Sequence, residues 1–254
     1  MNRPPSLVYG RNPVREALRA GRGMKRLVVA EGLERDPRLD EIMALAAERG
    51  VPVETADRRR VEAIAHSDAH QGVVAYVHRR VYLDLDEVLD GADPLLVLLD
   101  GVQDPQNLGS ICRTAEAAGV SAVVVARTAS AEVTAAVAKA SAGAVEHIRI
   151  AQVGRIAQAV ERLHEAGFWI VGLAGEGEMA YDRADYRGRA AIVVGAEGEG
   201  LHHLVRERCD QLVRLPMLGK VESLNAGVAA AIVMYEALRQ RSPAAEPPGG
   251  DQAP

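Results

Sequence analysis

Aromatic side chains are scarce in this chain of 254 residues: one Trp, one Phe and six Tyr. Its core must be filled by Ala, Val and Leu, within a hydrophobic content of 48% that suits a globular protein. Cysteine is limited to Cys112 and Cys209, which form neither a CxxC pair nor a zinc-spaced set. That excludes a disulfide framework and predicts free thiols in a reducing cytosol. No apolar run approaches the roughly 20 residues that span a bilayer, which excludes a transmembrane helix. The amino-terminal Met-Asn-Arg-Pro-Pro-Ser lacks the continuous apolar core of a secretory signal. A cytoplasmic protein of enzyme size, with no membrane partner, is expected.

An overall positive charge is also missing. The formal net charge of −5 argues against indiscriminate nucleic-acid binding. The charge is unevenly spread, however: residues 1–80 carry +4 and residues 81–254 carry −9. Within residues 1–30, seven basic side chains (Arg3, Arg11, Arg15, Arg19, Arg22, Lys25, Arg26) face one acid, Glu16. This pattern fits a phosphate-contacting domain joined to an acidic catalytic one.

The first eighty residues read as a small α/β unit. A helix is expected over Asn12–Ala20, with Asn12 as N-cap and Pro13 in the first helical position. Strands are expected at Arg26–Ala30, Val51–Thr55 and Val73–Val77, with helices at Pro37–Arg49 and Arg58–Ala65. His66 and His70 stand four apart, a metal-compatible spacing, but no third ligand is near and no metal is assigned. Residues 81–94 read as a linker with a short helix at Leu85–Leu89.

From Leu95 the chain alternates strand, loop and helix. Strands are expected at Leu95–Leu99, Ala122–Val125, His147–Ile150, Trp169–Leu173, Ala191–Val194 and Gln211–Leu215, making a parallel sheet of about six strands. The intervening helices are expected at Ser110–Ala118, Ala131–Ser141 and Val153–Ala166. Residues 95–241 form this second domain, and the Pro-, Ala- and Gly-rich tail 242–254 reads as disordered.

Three loops at the carboxyl ends of these strands carry the chemistry, since α/β folds bind ligands there. The first, Asp100-Gly-Val-Gln-Asp-Pro-Gln-Asn-Leu-Gly-Ser-Ile-Cys-Arg113, places Asn107 in the loop and Arg113 early in an apolar helix. There only a partner or ligand makes its charge tolerable. The second, Val193-Val-Gly-Ala-Glu-Gly-Glu-Gly-Leu201, spaces its glycines as GxxGxG, which matches neither the dinucleotide fingerprint nor the P-loop. Glu197 and Glu199 there favour a cationic or neutral ligand over a phosphate. The third, Leu215-Pro-Met-Leu-Gly-Lys-Val-Glu-Ser-Leu-Asn225, runs into the apolar helix Ala226–Arg241, with Ser223 and Asn225 both suited to capping it.

In this order the three loops resemble the SpoU branch of the SPOUT class of S-adenosylmethionine-dependent RNA ribose 2′-O-methyltransferases. The resemblance covers residues 7–241. Val8-Tyr-Gly-Arg-Asn-Pro-Val-Arg-Glu-Ala-Leu18 is similar to the start of that family's substrate-binding domain. It implies an α/β fold in which the carboxyl-terminal parallel-sheet domain is tied in a deep trefoil knot. By motif position, Gly195, Leu215, Met217 and Leu224 are expected to contact S-adenosylmethionine. Asn107, Arg113, Glu197, Ser223 and Asn225 match the polar catalytic positions. The resemblance also implies a homodimer through the catalytic domains and an RNA partner, with no metal. The layout is most similar to members that methylate a guanosine in the peptidyl-transferase P-loop of 23S rRNA, free or in an assembling ribosomal particle. The alternatives are a guanosine in the tRNA D-loop and a non-catalytic ribosome-assembly factor of the same fold. Two departures are local: Ala226-Gly227 replaces a frequent Val-Ser pair, and Lys220-Val-Glu222 makes the third loop more charged.

Overall fold

The structure, a computed structural model, describes residues 6–128 and 130–242. All of the expected disordered tail except Ser242 therefore lies outside the described residues. Two β-sheets organise the chain. The first comprises β1 (Ser6–Tyr9), β2 (Met24–Ala30), β3 (Val53–Ala56) and β4 (Val73–Val77), in the order β1-β4-β2-β3. Here β4 pairs antiparallel with both β1 and β2, while β2 and β3 are parallel. Helices α1 (Arg11–Arg19), α2 (Pro37–Glu48) and α3 (Arg58–Ala65) cover the sheet. The expected Asn12 cap is not formed. Gly10 precedes the helix with φ 94°, so α1 begins at Arg11, whose N–H donates to Gln71 Oε1 at 3.0 Å. A turn this tight out of β1, a strand too short to stand out in the sequence, needs the positive φ that glycine tolerates. His70 is buried, and its Nδ1 accepts from the Gly72 N–H at 2.9 Å.

The second sheet has seven strands, all paired in parallel. In chain order its elements are β5 (Leu95–Asp100), α4 (Pro105–Ala117), β6 (Ala122–Ala126), α5 (Ala135–Ala140), β7 (Ile150–Val153), α6 (Ile156–Glu165), β8 (Trp169–Leu173), β9 (Met179–Ala180), β10 (Ala190–Gly195), α7 (His203–Glu207), β11 (Gln211–Arg214) and α8 (Ala226–Arg241). The expected six strands become seven through β9, whose two residues are too few to carry a periodic signal. The expected strand His147–Ile150 shifts to Ile150–Val153 because residues 144–146 form a 3₁₀ turn.

Strand order is β7-β6-β5-β10-β8-β11-β9. The chain steps outward from β5 through β6 and β7, then returns to the other side, with β10 entering beside β5. Every residue of β5 and β10 is buried, because helices cover both faces. Leu108, Ile111, Val137, Ala230 and Val233 from α4, α5 and α8 pack on Val97 and Leu99 on one face. Val160 and Leu163 of α6 and Val205 of α7 meet Leu96 and Leu98 on the other.

The segment between the sheets is less of a free tether than expected. Leu83 bridges to Ala151 of β7, and Val88 is fully buried under the same face, which protects an edge strand from stray pairing. The first core is continuous across both sheets, running from Val8, Val14 and Leu18 to Val137, Ala138 and Val145. Close packing is needed where they meet: a Cβ on Gly143 would stand 2.7 Å from Glu16 Cβ.

Candidate active site

The point where strand order reverses lies between β5 and β10, and the loops leaving these neighbours diverge to leave a crevice. Asp104 caps α4, its carboxylate accepting from the N–H groups of Gln106 and Asn107 at 3.2 Å, and Pro105 occupies the first turn. The helix therefore starts five residues earlier than expected, and Asn107 is in its first turn rather than in a loop. Asn107 is buried. Its Nδ2 donates to Glu197 Oε2 at 3.2 Å, while Asn225 Nδ2 donates to Asn107 Oδ1 at 2.7 Å and to Glu197 Oε2 at 3.3 Å. Three segments that are far apart in sequence thus close one polar triangle.

Asn225 alone caps α8, its Oδ1 accepting from Gly227 N at 3.0 Å and Val228 N at 3.3 Å. Ser223 does not share that role; it lines the cleft instead. The departure at Gly227 has a packing reason: a Cβ there would stand 3.2 Å from both Asn225 Oδ1 and Ser110 Cβ, where α8 crosses α4.

Arg113 is not drawn into the triangle. With Asn107 already helical, six residues advance the chain about 9 Å and turn it to a face roughly 120° away. Arg113 is exposed, and among the described residues its guanidinium has no hydrogen-bond or ion-pair partner. Solvent makes its charge tolerable, contrary to the expectation that only a partner or ligand does.

Beside the triangle opens a cleft of about 290 Å³. Gly195, Glu197, Leu215, Met217, Ser223 and Leu224 all border it, so the four expected cofactor positions lie on one surface. The glycine loop is folded tightly back on itself, with Ala196 N donating to Gly200 O at 3.1 Å and Gly200 N to Ala196 O at 2.9 Å. A Cβ on Gly195 would lie 2.1 Å from the Gly200 carbonyl carbon, so no other residue fits there.

Sequence reasoning missed a brace beneath this loop. Asp100, buried at the end of β5, accepts from His202 N at 2.8 Å and pairs with His202 Nδ1 at 2.9 Å. It ties the exit of the glycine loop to the strand that precedes Asn107. The lone acid ending an apolar strand was the available signal. Sequence reasoning also missed Arg206 and Glu176, which pair at 2.8 Å on the cleft rim. Glu176 is held below the usual carboxylate range by the Arg206 hydrogen bond and by its own backbone N–H.

Residues 94–235 match the SpoU rRNA Methylase family, and residues 7–83 match the family described as RNA 2′-O ribose methyltransferase substrate binding. The chain belongs to the SpoU rRNA methylase family. Among relatives of this SpoU methyltransferase, it is 45% identical over 246 residues to 23S rRNA (guanosine-2′-O-)-methyltransferase RlmB of Pseudomonas syringae, covering 94% of this chain and 98% of that protein. Its fold is similar to that of the SpoU methyltransferase AviRb from Streptomyces viridochromogenes, solved in complex with the cofactor AdoMet. That match has a TM-score of 0.78 at 28% identity over 92% of this chain and 89% of that one. It is also similar to the AdoMet-bound rRNA methyltransferase from Sinorhizobium meliloti, with a TM-score of 0.79 at 28% identity over 92% and 87%. The SpoU reading of the three loops and the parallel-sheet fold stand on these matches.

Proposed function

We propose that this SpoU methyltransferase transfers a methyl group from S-adenosylmethionine to the ribose 2′-hydroxyl of a guanosine in the peptidyl-transferase P-loop of 23S rRNA. The observation that carries the chemistry is the cleft opening directly beside the Asn107–Glu197–Asn225 triangle at the reversal point of the sheet. The likeness to RlmB along both chains supports the substrate.

The cleft fits the cofactor. Apolar Leu173, Val194 and Leu215 line it beside Glu176 and Glu222, a combination suited to an adenosine with a cationic tail. Bound there, S-adenosylmethionine supplies an electrophilic sulfonium methyl. Gly195, Leu215, Met217 and Leu224 hold it, and Glu197 and Ser223 keep the pocket's polar wall. Asn107 and Asn225 would orient the loops that hold the substrate hydroxyl at the cleft, where it gives up its proton to solvent as it is methylated, and positioning is the main contribution to such a transfer. Arg113 reaches the RNA from its exposed place on α4, steadying the alkoxide as it develops or contacting the adjacent phosphate.

Residues 1–80 serve as the RNA-binding domain, 81–94 as the connection and 95–241 as the catalytic domain, knotted as the family resemblance implies. The working form is a cytoplasmic homodimer. Support for it comes from apolar side chains left exposed along α8 and its approach: Leu218, Leu224, Val228 and Tyr235. Val228 and Tyr235 are seven apart and share a helix face.

The rRNA reading is favoured by the 45% identity to RlmB, which runs through the amino-terminal domain, and the intact polar triangle speaks against a non-catalytic factor. Ribose-methylation mapping of total RNA from cells with and without the gene tests the assignment. Loss of a single 2′-O-methylguanosine in the 23S P-loop is expected. A mark lost from tRNA instead would overturn the substrate and keep the chemistry.

A further inference from the structure

The carboxyl edge of the seven-stranded sheet is electrically divided. On the β10–β8–β11 side, where the cleft lies, the loops carry Glu176, Glu178, Glu197, Glu199 and Glu222. Two arginines there are committed: Arg206 to Glu176, and Arg214 to the carbonyls of Gly177 and Glu178 at 2.5 and 2.7 Å. Lys220 is the remaining cation of those loops.

Beyond β5, on the other side, the sign changes. Arg127 follows β6 and Arg155 follows β7, and the Arg127 N–H donates to Val153 O at 2.8 Å, which sets the two on adjoining strand ends. Both are exposed, and among the described residues neither side chain has a hydrogen-bond or ion-pair partner. The loop that starts at Arg127 contains one acid, Glu132, and runs to the junction between the two sheets. There Glu132–Ala135 form one wall of a second cavity of about 240 Å³, faced by Arg22, Arg79, Arg80 and Tyr82. Arg22 and Arg80 are bound to buried Glu146 at 2.6 and 2.8 Å. Arg79 is exposed and without a partner among the described residues. The Tyr82 hydroxyl accepts from Val133 N at 3.0 Å and keeps its own proton to donate.

Arginines at the amino edge are spent differently. Arg189 donates to the carbonyls of Ala166, Gly91 and Leu89, and Arg241 to those of Tyr186, Asp93 and Gly188. In a half of the chain that carries net negative charge, uncommitted arginines on one edge mark a place for an anionic partner.

We propose that the RNA approaches the catalytic triangle from the β6–β7 side, its phosphates held by Arg79 at the junction and by Arg127 and Arg155 at the strand ends. The cofactor cleft occupies the opposite, acidic side. The proposal rests on the functional reading above. Helices α5 and α4 both begin at this edge and pack closely, a Cβ on Gly109 falling 2.4 Å from Ala140 Cβ. The loop before α5 also meets the loop before α4, the Ala131 N–H donating to Val102 O at 3.0 Å, so a strand passing it next meets Asn107 in the first turn of α4. The acids around the cleft repel phosphate, so RNA and cofactor enter from opposite sides.

The test is equilibrium binding of a hairpin RNA of the 23S P-loop sequence across a salt series, with S-adenosylmethionine binding measured in parallel. The double variant Arg127→Ala/Arg155→Ala should bind RNA more weakly, with a log–log salt slope shallower by roughly 1.5, because two phosphate contacts are lost. Arg79→Ala should flatten the slope by about 0.7 on its own. S-adenosylmethionine affinity should match wild type in both variants. Unchanged RNA affinity and slope would overturn the proposal, as would a loss of cofactor affinity with RNA affinity intact. Methyl transfer is read separately: a wild-type protein that binds RNA with the expected salt dependence but transfers no methyl would sink the functional reading and leave the RNA track standing.

Discussion

Two candidate residues, Gly195 and Arg113, stand at opposite extremes of constraint. Gly195 is required by space: its missing Cβ leaves room for the Gly200 carbonyl carbon, which an alanine would approach to 2.1 Å. Gly195→Ala should cost about 2 kcal/mol in stability through forced displacement of the loop and abolish S-adenosylmethionine binding, as read by urea denaturation and titration calorimetry. Arg113 is exposed and has no hydrogen-bond or ion-pair partner among the described residues, and the proposed mechanism gives it the RNA to contact. Arg113→Ala should leave stability and cofactor affinity unchanged while lowering kcat by at least roughly 10²-fold, the loss expected when one group stabilising a developing oxyanion is removed. Near-normal turnover in that variant would remove Arg113 from the mechanism.

At the scale of elements, the junction between the sheets is held by charge set into an apolar contact. The Glu146 side chain is 2% exposed and accepts from Arg22 of the first domain and from Arg80, where that domain ends. Glu146→Ala leaves two guanidiniums without their counter-charge and should destabilise the protein by about 3 kcal/mol, measured by chemical denaturation. A loss near zero would mean that solvent replaces the carboxylate easily. The elements themselves were largely legible. Arg58–Ala65, Val73–Val77 and Trp169–Leu173 fall where periodicity puts them, because their apolar spacing matches the local geometry. The expectations that moved did so for local reasons: α4 starts early on the Asp104 cap and Pro105, and α1 starts on Gly10 rather than on Asn12.

For the whole molecule, a core shared by both sheets implies that the two domains unfold together. Glu16 on α1 joins them at the surface, accepting from His147 Nε2 at 2.9 Å. Burial raises its pKa, but hydrogen bonds from His147 and Arg15 and the charges of Arg19 and Arg15 outweigh that and hold it below the ordinary 4.5. A depressed carboxylate stabilises the fold above its unfolded value, and the contribution disappears as pH falls through the lowered folded one. Wild type should thus be more stable than Glu16→Gln at neutral pH, with the gap closing below pH 4.5. Thermal melts of both proteins from pH 7 to pH 3 check this; a gap that persists at the acid end would show that the ionisation of Glu16 is not its source.

By itself the sequence determined most of the elements, the parallel sheet of the second half and the three loops that carry the candidate polar residues. Those depend on apolar periodicity, on capping residues and on the order of three loops. Tertiary structure alone decided which of those residues meet. Asn107, Glu197 and Asn225 converge because β5 and β10 become neighbours and α8 returns beside α4, contacts between segments up to 118 positions apart. Arg113, only six positions from Asn107, stays outside because a helix turns it away. The division of the carboxyl edge into an acidic and a basic side is likewise invisible in linear order. It arises from strand order, which places the exits of β6 and β7 on one flank of β5 and those of β10, β8 and β11 on the other.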